Sequence, residues 1–216
     1  MMIHKRVEQT AQALRRNNMD VYCVASKTEV PPLVQSLLHD GDTVAAGGST
    51  TLQQTGVNDL LRSGNYRFLD RDVAGLTPQQ TREIFLGAFT ADAYLASANA
   101  VTLNGEIYNV DGNGNRVAAL CYGPPSVILV VGCNKLVDDL KQAVARVKQV
   151  AAPKNVDRLQ KQTYCSKTGV CMGVEGDFCT DGCRAEERIC CTYVTMGYQR
   201  NAGRIKVILV EEPLGF

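Results

Sequence analysis

Six cysteines lie within 27 residues near the C-terminal end of the chain, and their thiols are its densest set of reactive side chains. The N-terminal segment lacks the apolar core of a secretion signal, so we expect a reducing compartment. There, clustered thiols more often bind a metal or undergo redox chemistry than form a disulfide framework. The cluster therefore predicts a metal centre or a redox-active site. Its members are Cys165, Cys171, Cys179, Cys183, Cys190 and Cys191.

The intervals between these cysteines select four candidate metal ligands and one alternative. Five, eleven and six residues separate Cys165, Cys171, Cys183 and Cys190 in turn, and Cys179 is a further candidate. Zinc and iron–sulfur clusters both accept four thiolates. None of the intervals is the two-residue spacing of a zinc ribbon or a ferredoxin. The spacing leaves the cofactor open between an iron–sulfur cluster and zinc, with reduced structural thiols or reversible disulfides as the alternatives to a metal.

A glycine turn after a short apolar segment is the second feature that can bind a ligand. Residues 43–46 predict a strand, and the residues after the turn can begin a helix. This arrangement directs free backbone N–H groups at an anion. The turn lacks the lysine of a Walker loop and the glycine spacing of a dinucleotide-binding loop. It predicts a small-anion site, with a plain N-capped turn as the alternative; the candidate residues are Gly47, Gly48, Ser49, Thr50 and Thr51.

A turn-dense loop at residues 109–116 supplies a second group of candidate ligand-binding residues. Calcium loops share its content of Asp, Gly and Asn, but the loop lacks the EF-hand spacing and the terminal Glu. We expect it to line a site or simply to turn the chain. Arg116 is the side chain in it best suited to bind a carboxylate or a phosphate. The candidates are Asp111, Gly112, Asn115 and Arg116.

Residues 126–132 form an apolar run without alternation, rich in β-branched side chains. Such a run predicts a central strand that is buried on both faces. Asn134 and Lys135 come directly after it, and ligands of open α/β sheets bind beyond the carboxyl ends of the strands. Both residues are therefore candidate ligand-binding residues, and a surface connection is the alternative.

The composition argues against several classes of protein. The chain has 216 residues, 45% of them hydrophobic, with 23 basic and 22 acidic side chains. This nearly balanced charge favours neither nucleic acid nor an anionic membrane as a partner. No apolar run approaches the roughly 20 residues of a membrane span. We expect a soluble, cytoplasmic protein in which Cys23, Cys121 and Cys133 are buried as small apolar side chains.

The succession of strands and helices predicts an α/β fold with three layers, in which a mostly parallel sheet has helices on both faces. Asn104-Gly105 between two apolar runs predicts a β-hairpin. A helix is predicted over residues 138–151 with Pro153 ending it, and a strand at 205–210 is expected to return to the main sheet. Residues 164–191 show little hydrophobic periodicity, so this Cys-rich C-terminal segment needs something other than an apolar core to hold it.

As a set, the motifs resemble those of the LUD-domain (lactate-utilisation) family, and the resemblance covers nearly the whole chain. We expect residues 1–216 to form a single LUD domain, with the Cys-rich residues 164–191 as an insert within it. The matching segments are 47–52, 99–102 with Gly105, 109–112, 114–118, 123–124, 131–135, 152–155 and the C-terminal Leu-Gly-Phe.

This resemblance implies the fold of glucosamine-6-phosphate deaminase, ribose-5-phosphate isomerase and CoA transferases (the NagB/RpiA/CoA-transferase-like fold), where the strand–glycine–helix turn holds a phosphate or carboxylate. It also implies a role near the oxidation of lactate to pyruvate, alongside iron–sulfur or oxidoreductase partner proteins. Many stand-alone members carry a C-x5-C-x2-C-x6-C block. Here the first and last intervals match, but the middle interval is longer and contains Cys179.

Three functions stay open at the level of the sequence. The first is a protein that binds a small anion, carries a metal or cluster and takes part in oxidation of lactate or a related 2-hydroxy acid. The second is an isomerase-, hydrolase- or transferase-like enzyme for a phosphorylated or CoA-linked substrate, with Asp111 or Glu106 as the candidate general base. The third is a redox-sensing regulatory protein whose thiols lie near Lys167, Arg184 and Arg188. No catalytic residue is assigned, and a homo-oligomer is compatible with all three.

Overall fold

The structure, a computed structural model, describes residues 2–216 and contains two β-sheets. Its strands are β1 (Asp20–Val24), β2 (Thr43–Ala46), β3 (Arg67–Leu69), β4 (Ala93–Ala96), β5 (Ala100–Thr102), β6 (Ile107–Asp111), β7 (Ser126–Gly132), β8 (Leu136–Val137), β9 (Thr192–Met196) and β10 (Ile205–Val210). Its helices are α1 (Met2–Arg16), α2 (Val30–Ser36), α3 (Thr50–Gln54), α4 (Val57–Leu61), α5 (Pro78–Gly87), α6 (Asn115–Tyr122), α7 (Leu140–Arg146), α8 (Ala152–Arg158) and α9 (Tyr164–Thr168). None of these helices is both long and apolar enough to cross a lipid bilayer.

The main sheet has the strand order β1-β10-β7-β4-β2-β3, and every neighbouring pair in it is parallel. The apolar run at 126–132 forms the inner strand β7, whose residues 127–132 are all buried. Segment 205–210 lies between β1 and β7, so its predicted return to the main sheet is confirmed. The predicted α/β class with a parallel sheet is also confirmed.

Helices cover both faces of the main sheet because the strand side chains alternate between the faces. On one face, Val44, Leu95 and Val130 belong to a core formed with α2, α3 and α4. On the other face, Tyr94 and Leu129 belong to a core formed with α1 and α6. The sheet is thus buried on both sides, as a parallel sheet requires.

A smaller sheet with the order β8-β5-β6-β9 packs against one face of the main sheet. The predicted hairpin at Asn104-Gly105 is confirmed, because β5 and β6 pair antiparallel around it and Gly105 has a φ of +84°. β8 and β9 join the hairpin from distant parts of the chain. The far face of this sheet forms a third core that includes Ala143 of α7 and Ala152 of α8.

The prediction that Pro153 ends its helix is wrong. The helix α7 passes through a π-turn at Val147–Ala151 and continues as α8 to Arg158. The wider turn brings Pro153 into the first turn of the following helical segment, where a proline ring and its missing N–H are tolerated. The same π-turn contains Lys148, a buried side chain that contacts the Cys-rich segment.

Residues 169–191, all of which the structure describes, contain neither helix nor strand. Lys148 donates hydrogen bonds from Nζ to the carbonyl oxygens of Gly173 and Phe178, at 2.7 and 2.9 Å. The backbone N–H of Cys191 donates to the carbonyl oxygen of Asp111 at 2.9 Å and so ties the segment to the end of β6. Hydrogen bonds to backbone groups hold the segment, in agreement with its weak hydrophobic pattern.

The prediction that all three scattered cysteines are buried is wrong. Cys23 and Cys121 are exposed, and Cys133 is partly exposed. Cys23 lies on the edge strand β1, and Cys121 lies in the last turn of α6 on its solvent side. Apolar neighbours in the sequence do not show whether a given side chain of an edge strand or a surface helix points to the core or to solvent.

Candidate functional site

The main sheet changes its direction of growth between β2 and β4. From β2 the chain continues to β3 on one side, whereas from β4 it continues to β7 on the other side. Connections that leave in opposite directions open a crevice at the carboxyl ends of the two strands, which is where open α/β sheets bind ligands. The glycine turn follows β2, and Ser97 and Asn99 follow β4.

A cleft of about 670 Å³ lies at this position, and we call it the anion cleft. It is formed by the ends of β2, β4 and β7, the loop after β6, the helix α8 and part of the Cys-rich segment. Nine of the predicted ligand-binding residues line it: Gly48, Ser49, Thr50, Thr51, Asp111, Gly112, Asn115, Arg116 and Lys135.

The other two predicted residues, Gly47 and Asn134, lie outside the lining of the anion cleft. A Cβ atom on Gly47 would come within 3.1 Å of both Tyr94 Oη and Arg116 Cδ, so the missing side chain leaves room for Arg116. Asn134 accepts a hydrogen bond at Oδ1 from the backbone N–H of Leu214 at 3.0 Å. Both residues support the cleft without facing it.

Lys135 is the cation at the floor of the anion cleft, and only 3% of its surface is exposed. Its Nζ donates to Thr51 Oγ1 at 2.8 Å and to Ser97 Oγ at 3.0 Å. Among the described residues, no carboxylate lies within ion-pair distance of it. Burial, together with the nearby charges of Arg146 and Arg116, lowers the pKa of Lys135 to about 7.

Arg116 uses all five of its N–H groups inside the protein. It donates to Asp111 Oδ1 and to the carbonyl oxygen of Val110, which hold the loop after β6. It also donates to Ser97 O, Asn109 Oδ1 and Asn99 Oδ1, which belong to the ends of β4 and β6. Its guanidinium therefore offers a ligand its charge and not a free hydrogen-bond donor.

Arg146 is a site residue that the sequence analysis missed. It is 9% exposed and donates to the carbonyl oxygens of Asn134 and Asn99, at 3.0 and 2.6 Å. Burial lowers its pKa to about 10. Lys135, Arg116 and Arg146 thus bring three cations close together at the cleft floor, and among them Arg116 has Asp111 as its ion-pair partner, so positive charge is in excess there.

Neither candidate general base is available as such. Asp111 accepts from the Arg116 guanidinium and, at 3.1 Å, from the backbone N–H of Val117. Glu106 accepts from Thr102 Oγ1 beside the hairpin and does not line the anion cleft.

The sequence-based prediction did not include Ser97 and Asn99, although their position after β4 follows the same rule that selected Lys135 after β7. Arg71 and Arg158 at the rim of the cleft were missed as well.

Five cysteines line a second, smaller cavity of about 20 Å³, which we call the thiol cavity: Cys165, Cys171, Cys179, Cys183 and Cys190. This volume suffices for one water-sized occupant. All four predicted ligands and the alternative Cys179 therefore meet at one place, whereas Cys191 lines the anion cleft instead. Within residues 2–216, no three metal-ligating side chains converge closely enough to hold an ion in the present arrangement.

Two cations line the thiol cavity, Lys148 and Arg188. Arg188 donates to the carbonyl oxygens of Thr180, Cys183 and Cys190 at 2.7 to 2.9 Å. In the described part of the chain, neither cation forms an ion pair with a carboxylate. Their positive charge can therefore offset the negative charge of thiolates. In the opposite direction, burial and, to a smaller extent, the charges of Cys171 and Cys165 raise the pKa of Cys190 to about 12.

The thiol cavity and the anion cleft share a wall. Arg188, Ile189 and Cys190 line both, together with Val147 and Ala152 from the helix behind them. A ligand in the cleft would lie on one side of Cys190 and the other thiols on the opposite side.

The comparisons with known proteins agree with this fold. The structure superposes on the crystal structure of a DUF162 family protein from Deinococcus radiodurans with a TM-score of 0.53 and 16% sequence identity, over 97% of this chain and 99% of that chain. At this identity the likeness shows a shared fold alone. Curated proteins give no match. The family model described as the LUD domain matches residues 7–210, nearly the whole chain, and the protein therefore belongs to the LUD-domain family.

Proposed function

We propose that this protein binds lactate or a related 2-hydroxy acid in the anion cleft and takes part in its oxidation, and that the cysteines of the thiol cavity would hold a metal or iron–sulfur cluster that could supply redox chemistry beside it. The observation that supports this most directly is Lys135, a buried cation without a carboxylate partner at the carboxyl ends of the strands. Oxidation of a 2-hydroxy acid to a 2-oxo acid releases two electrons and two protons. An iron–sulfur or oxidoreductase partner protein is the final acceptor of the electrons in this proposal.

The electrostatics of the cleft floor favour an anion. A buried, unpaired charge costs free energy, and the protein can relieve it by losing the proton or by binding an opposite charge. A carboxylate beside Lys135 keeps the lysine protonated and also offsets Arg146 and Arg116. Thr51 and Ser97 hold the ammonium in place, so little ordering is needed on binding.

The remaining residues have supporting roles in this proposal. The Ser49 hydroxyl accepts from the backbone N–H of Leu52 and caps α3, which fixes the turn at the carboxyl end of β2. The Arg116–Asp111 ion pair holds the loop after β6 against the ends of β4. The volume of about 670 Å³ lies within the usual range of small-molecule sites.

The donor set of the thiol cavity suits zinc or an iron–sulfur cluster, since both take thiolates and neither needs a carboxylate. The four predicted ligands are within one lining, and Lys148 and Arg188 offset part of the charge that bound thiolates would have. An iron–sulfur cluster would supply one-electron redox chemistry there, whereas zinc would only hold the segment. Four of the five thiols belong to residues 169–191, where neither helix nor strand constrains the backbone, and a bound metal would draw them into a ligand set.

Metal analysis and spectroscopy of protein purified without oxygen test the metal part of the proposal. We expect iron and acid-labile sulfide, and visible absorbance that bleaches when a chemical reductant is added. Cys183→Ser should lower the bound iron at least fivefold, whereas Cys23→Ser on the exposed edge strand should not. A colourless protein that takes up no cluster on reconstitution would contradict electron transfer through this site.

Calorimetry with lactate and pyruvate tests the anion part independently. We expect both acids to bind the full chain with one site per protein, whichever metal is present. The matched neutral amide, lactamide, should bind at least tenfold more weakly, because it lacks the charge that Lys135 neutralises. Equal affinity for lactate and lactamide would exclude the anion site.

A further inference from the structure

We infer that the anion cleft has a second anion subsite at its rim, formed by Arg71, Arg158 and Thr50 around Gly48, and that its ligand is a 2-hydroxy acid with a phosphate at the other end. This inference rests on the proposed function, because Lys135 is taken to bind the carboxylate. It adds the chemical class of the group that the rim recognises.

The two guanidinium groups meet above Gly48. The Nη1 atom of Arg71 lies 3.7 Å, and the Nη2 atom of Arg158 lies 3.8 Å, from the place that a Cβ atom on Gly48 would occupy. Both arginines line the anion cleft with Gly48. Their Nη atoms are thus close enough for the oxygens of one phosphate to reach both.

Two polar atoms on this wall lack hydrogen-bond partners. Nε of Arg71 is buried and donates no hydrogen bond, although it lies within ion-pair distance of Asp72 Oδ1, at 3.6 Å. Oγ1 of Thr50 is also buried and unpaired. They are two of the four such side-chain atoms found within residues 2–216. Because buried polar atoms are normally satisfied, two exceptions on residues that line one cleft point to a ligand that completes them.

Both arginines are held in position. The guanidinium of Arg71 stacks over the Phe85 ring at 4.9 Å from its centroid. Arg158 donates from Nε and Nη2 to Asn155 Oδ1 at 3.1 and 2.8 Å, which leaves its Nη1 free. Burial lowers the pKa of Arg158, and the like charge of Arg71 contributes to this shift. A doubly charged anion between the two would remove that repulsion.

Phosphate fits these groups better than a second carboxylate does. Its several oxygens can accept from two guanidinium groups and the Thr50 hydroxyl together, whereas a carboxylate has two oxygens to share among them. Thr50 of the rim and Thr51, which accepts from Lys135, are adjacent in the chain and line the same cleft, so one ligand can extend from one subsite to the other. A cleft of about 670 Å³ has room for such a ligand.

Glycerate and 3-phosphoglycerate form a matched pair of probes, since they are the same 2-hydroxy acid without and with the phosphate. We expect calorimetry on the full chain, above the second phosphate pKa of about 6, to show that 3-phosphoglycerate binds at least about 30-fold more tightly. Arg71→Gln and Arg158→Gln should each weaken 3-phosphoglycerate about tenfold and change glycerate less than twofold. Arg67→Gln, on the exposed part of β3, is the control and should change neither.

Separate outcomes distinguish this inference from the proposed function. Equal affinity for the two acids, or equal losses for both acids in the arginine variants, overturns the rim subsite and leaves the carboxylate site intact. Inorganic phosphate reports on the rim alone: if it binds, and Arg158→Gln weakens it, the subsite is supported even where glycerate fails. Failure of glycerate, 3-phosphoglycerate and inorganic phosphate to bind overturns both proposals.

Discussion

The anion cleft and the thiol cavity share a wall, yet the protein builds them in different ways. The cleft residues follow β2, β4 and β7, and the neighbouring strands hold their backbone on both sides. The thiol cavity is formed by residues without regular structure, which Lys148 and Arg188 tie together through backbone carbonyl oxygens. A sheet positions side chains before any ligand arrives, whereas the loop-built cavity depends on a few hydrogen bonds.

This difference separates a preformed site from an adaptable one. Around Lys135, the donors and acceptors are already paired in one geometry, so binding needs mainly the ligand. Around the five cysteines, the thiols share a lining without a complete ligand set. We therefore expect substitutions in the cleft to affect affinity and global stability, and substitutions near the thiols to affect local order and metal content.

The largest expected effect is on lactate affinity. Lys135→Met should weaken lactate binding about 100- to 1,000-fold, or about 2.7–4.1 kcal/mol, because it removes the cation from the cleft floor. Lys148→Met, which removes the buried cation of the other region, should change lactate affinity less than threefold. Calorimetry measures both values. Similar losses in the two variants would mean that the two regions do not bind separate ligands.

The same Gly→Ala change should have unequal effects on stability at Gly132, at the end of β7, and at Gly182, in the Cys-rich segment. At Gly132, a Cβ atom would lie 2.6 Å from the backbone N of Leu214 and 2.8 Å from the carbonyl oxygen of Glu212, and neither atom can move freely. We expect Gly132→Ala to lower the free energy of unfolding by about 2–3 kcal/mol.

Gly182→Ala is the matched control in the Cys-rich segment. Its nearest neighbours would be the ends of two side chains, Arg188 Nη2 and Cys171 Sγ, both at 3.5 Å. We expect a loss below about 1 kcal/mol, in line with ordinary van der Waals contact. Urea denaturation of both variants measures the difference, and equal losses would show that the thiol region is as tightly packed as the cleft.

Removal of the Arg188 side chain should loosen the thiol cavity alone. Arg188→Met leaves three carbonyl oxygens without their donor, so local opening of residues 169–191 should become easier by about 2 kcal/mol. Arg184→Met, at an exposed position of the same segment, is the control. Hydrogen exchange of peptides from the two regions measures how easily each region opens. Faster exchange in β4 or β7 would contradict a local role of Arg188.

Lactate affinity should fall as the pH rises. Lys135 has a pKa of about 7 without a ligand, so it is charged below that pH and increasingly neutral above it. Affinity should be level below pH 7 and decline by up to tenfold per pH unit above it, about 1.4 kcal/mol per unit. In Lys135→Met the slope should vanish, and a slope that persists there belongs to another group.

Stability without a ligand should show the opposite slope. The unfolded lysine keeps its proton up to its ordinary pKa of 10.5, whereas the folded one loses it near 7. Between these values the unfolded state holds more protons, so the stability of the native protein rises with pH relative to Lys135→Met. Urea denaturation of the wild-type protein and Lys135→Met at a series of pH values between the two pKa values measures this difference in the free energy of unfolding.

Local chemistry explains which parts of the fold followed from the sequence. The Asn104-Gly105 turn forms its hairpin because Gly105 can adopt a positive φ, a property of the residue itself. Residues 127–132 are buried because they offer no polar side chain to either face of the sheet. The smaller sheet was not predicted, because β9 pairs with β6 across about 80 residues of chain. The sequence of a short apolar strand does not indicate which other strand it pairs with.

Pro153 and Arg146 show where local rules were insufficient. The π-turn before Pro153 lets the helix continue through the proline, although the proline alone predicts an end. Arg146 looks like a basic residue of a surface helix, but that helix packs beside the strand ends and directs the guanidinium at Asn134 and Asn99.

Residue type, local spacing and motif were enough to predict the parallel α/β class, the family, the glycine turn, Lys135 as a candidate and the set of five cysteines. Three other features came from the packed fold: Arg116 donates its hydrogen bonds inside the protein, Arg71 and Arg158 meet over Gly48, and Cys190 lines both cavities. Such contacts join residues from separate elements, and their distances exist only once the sheets and helices have packed.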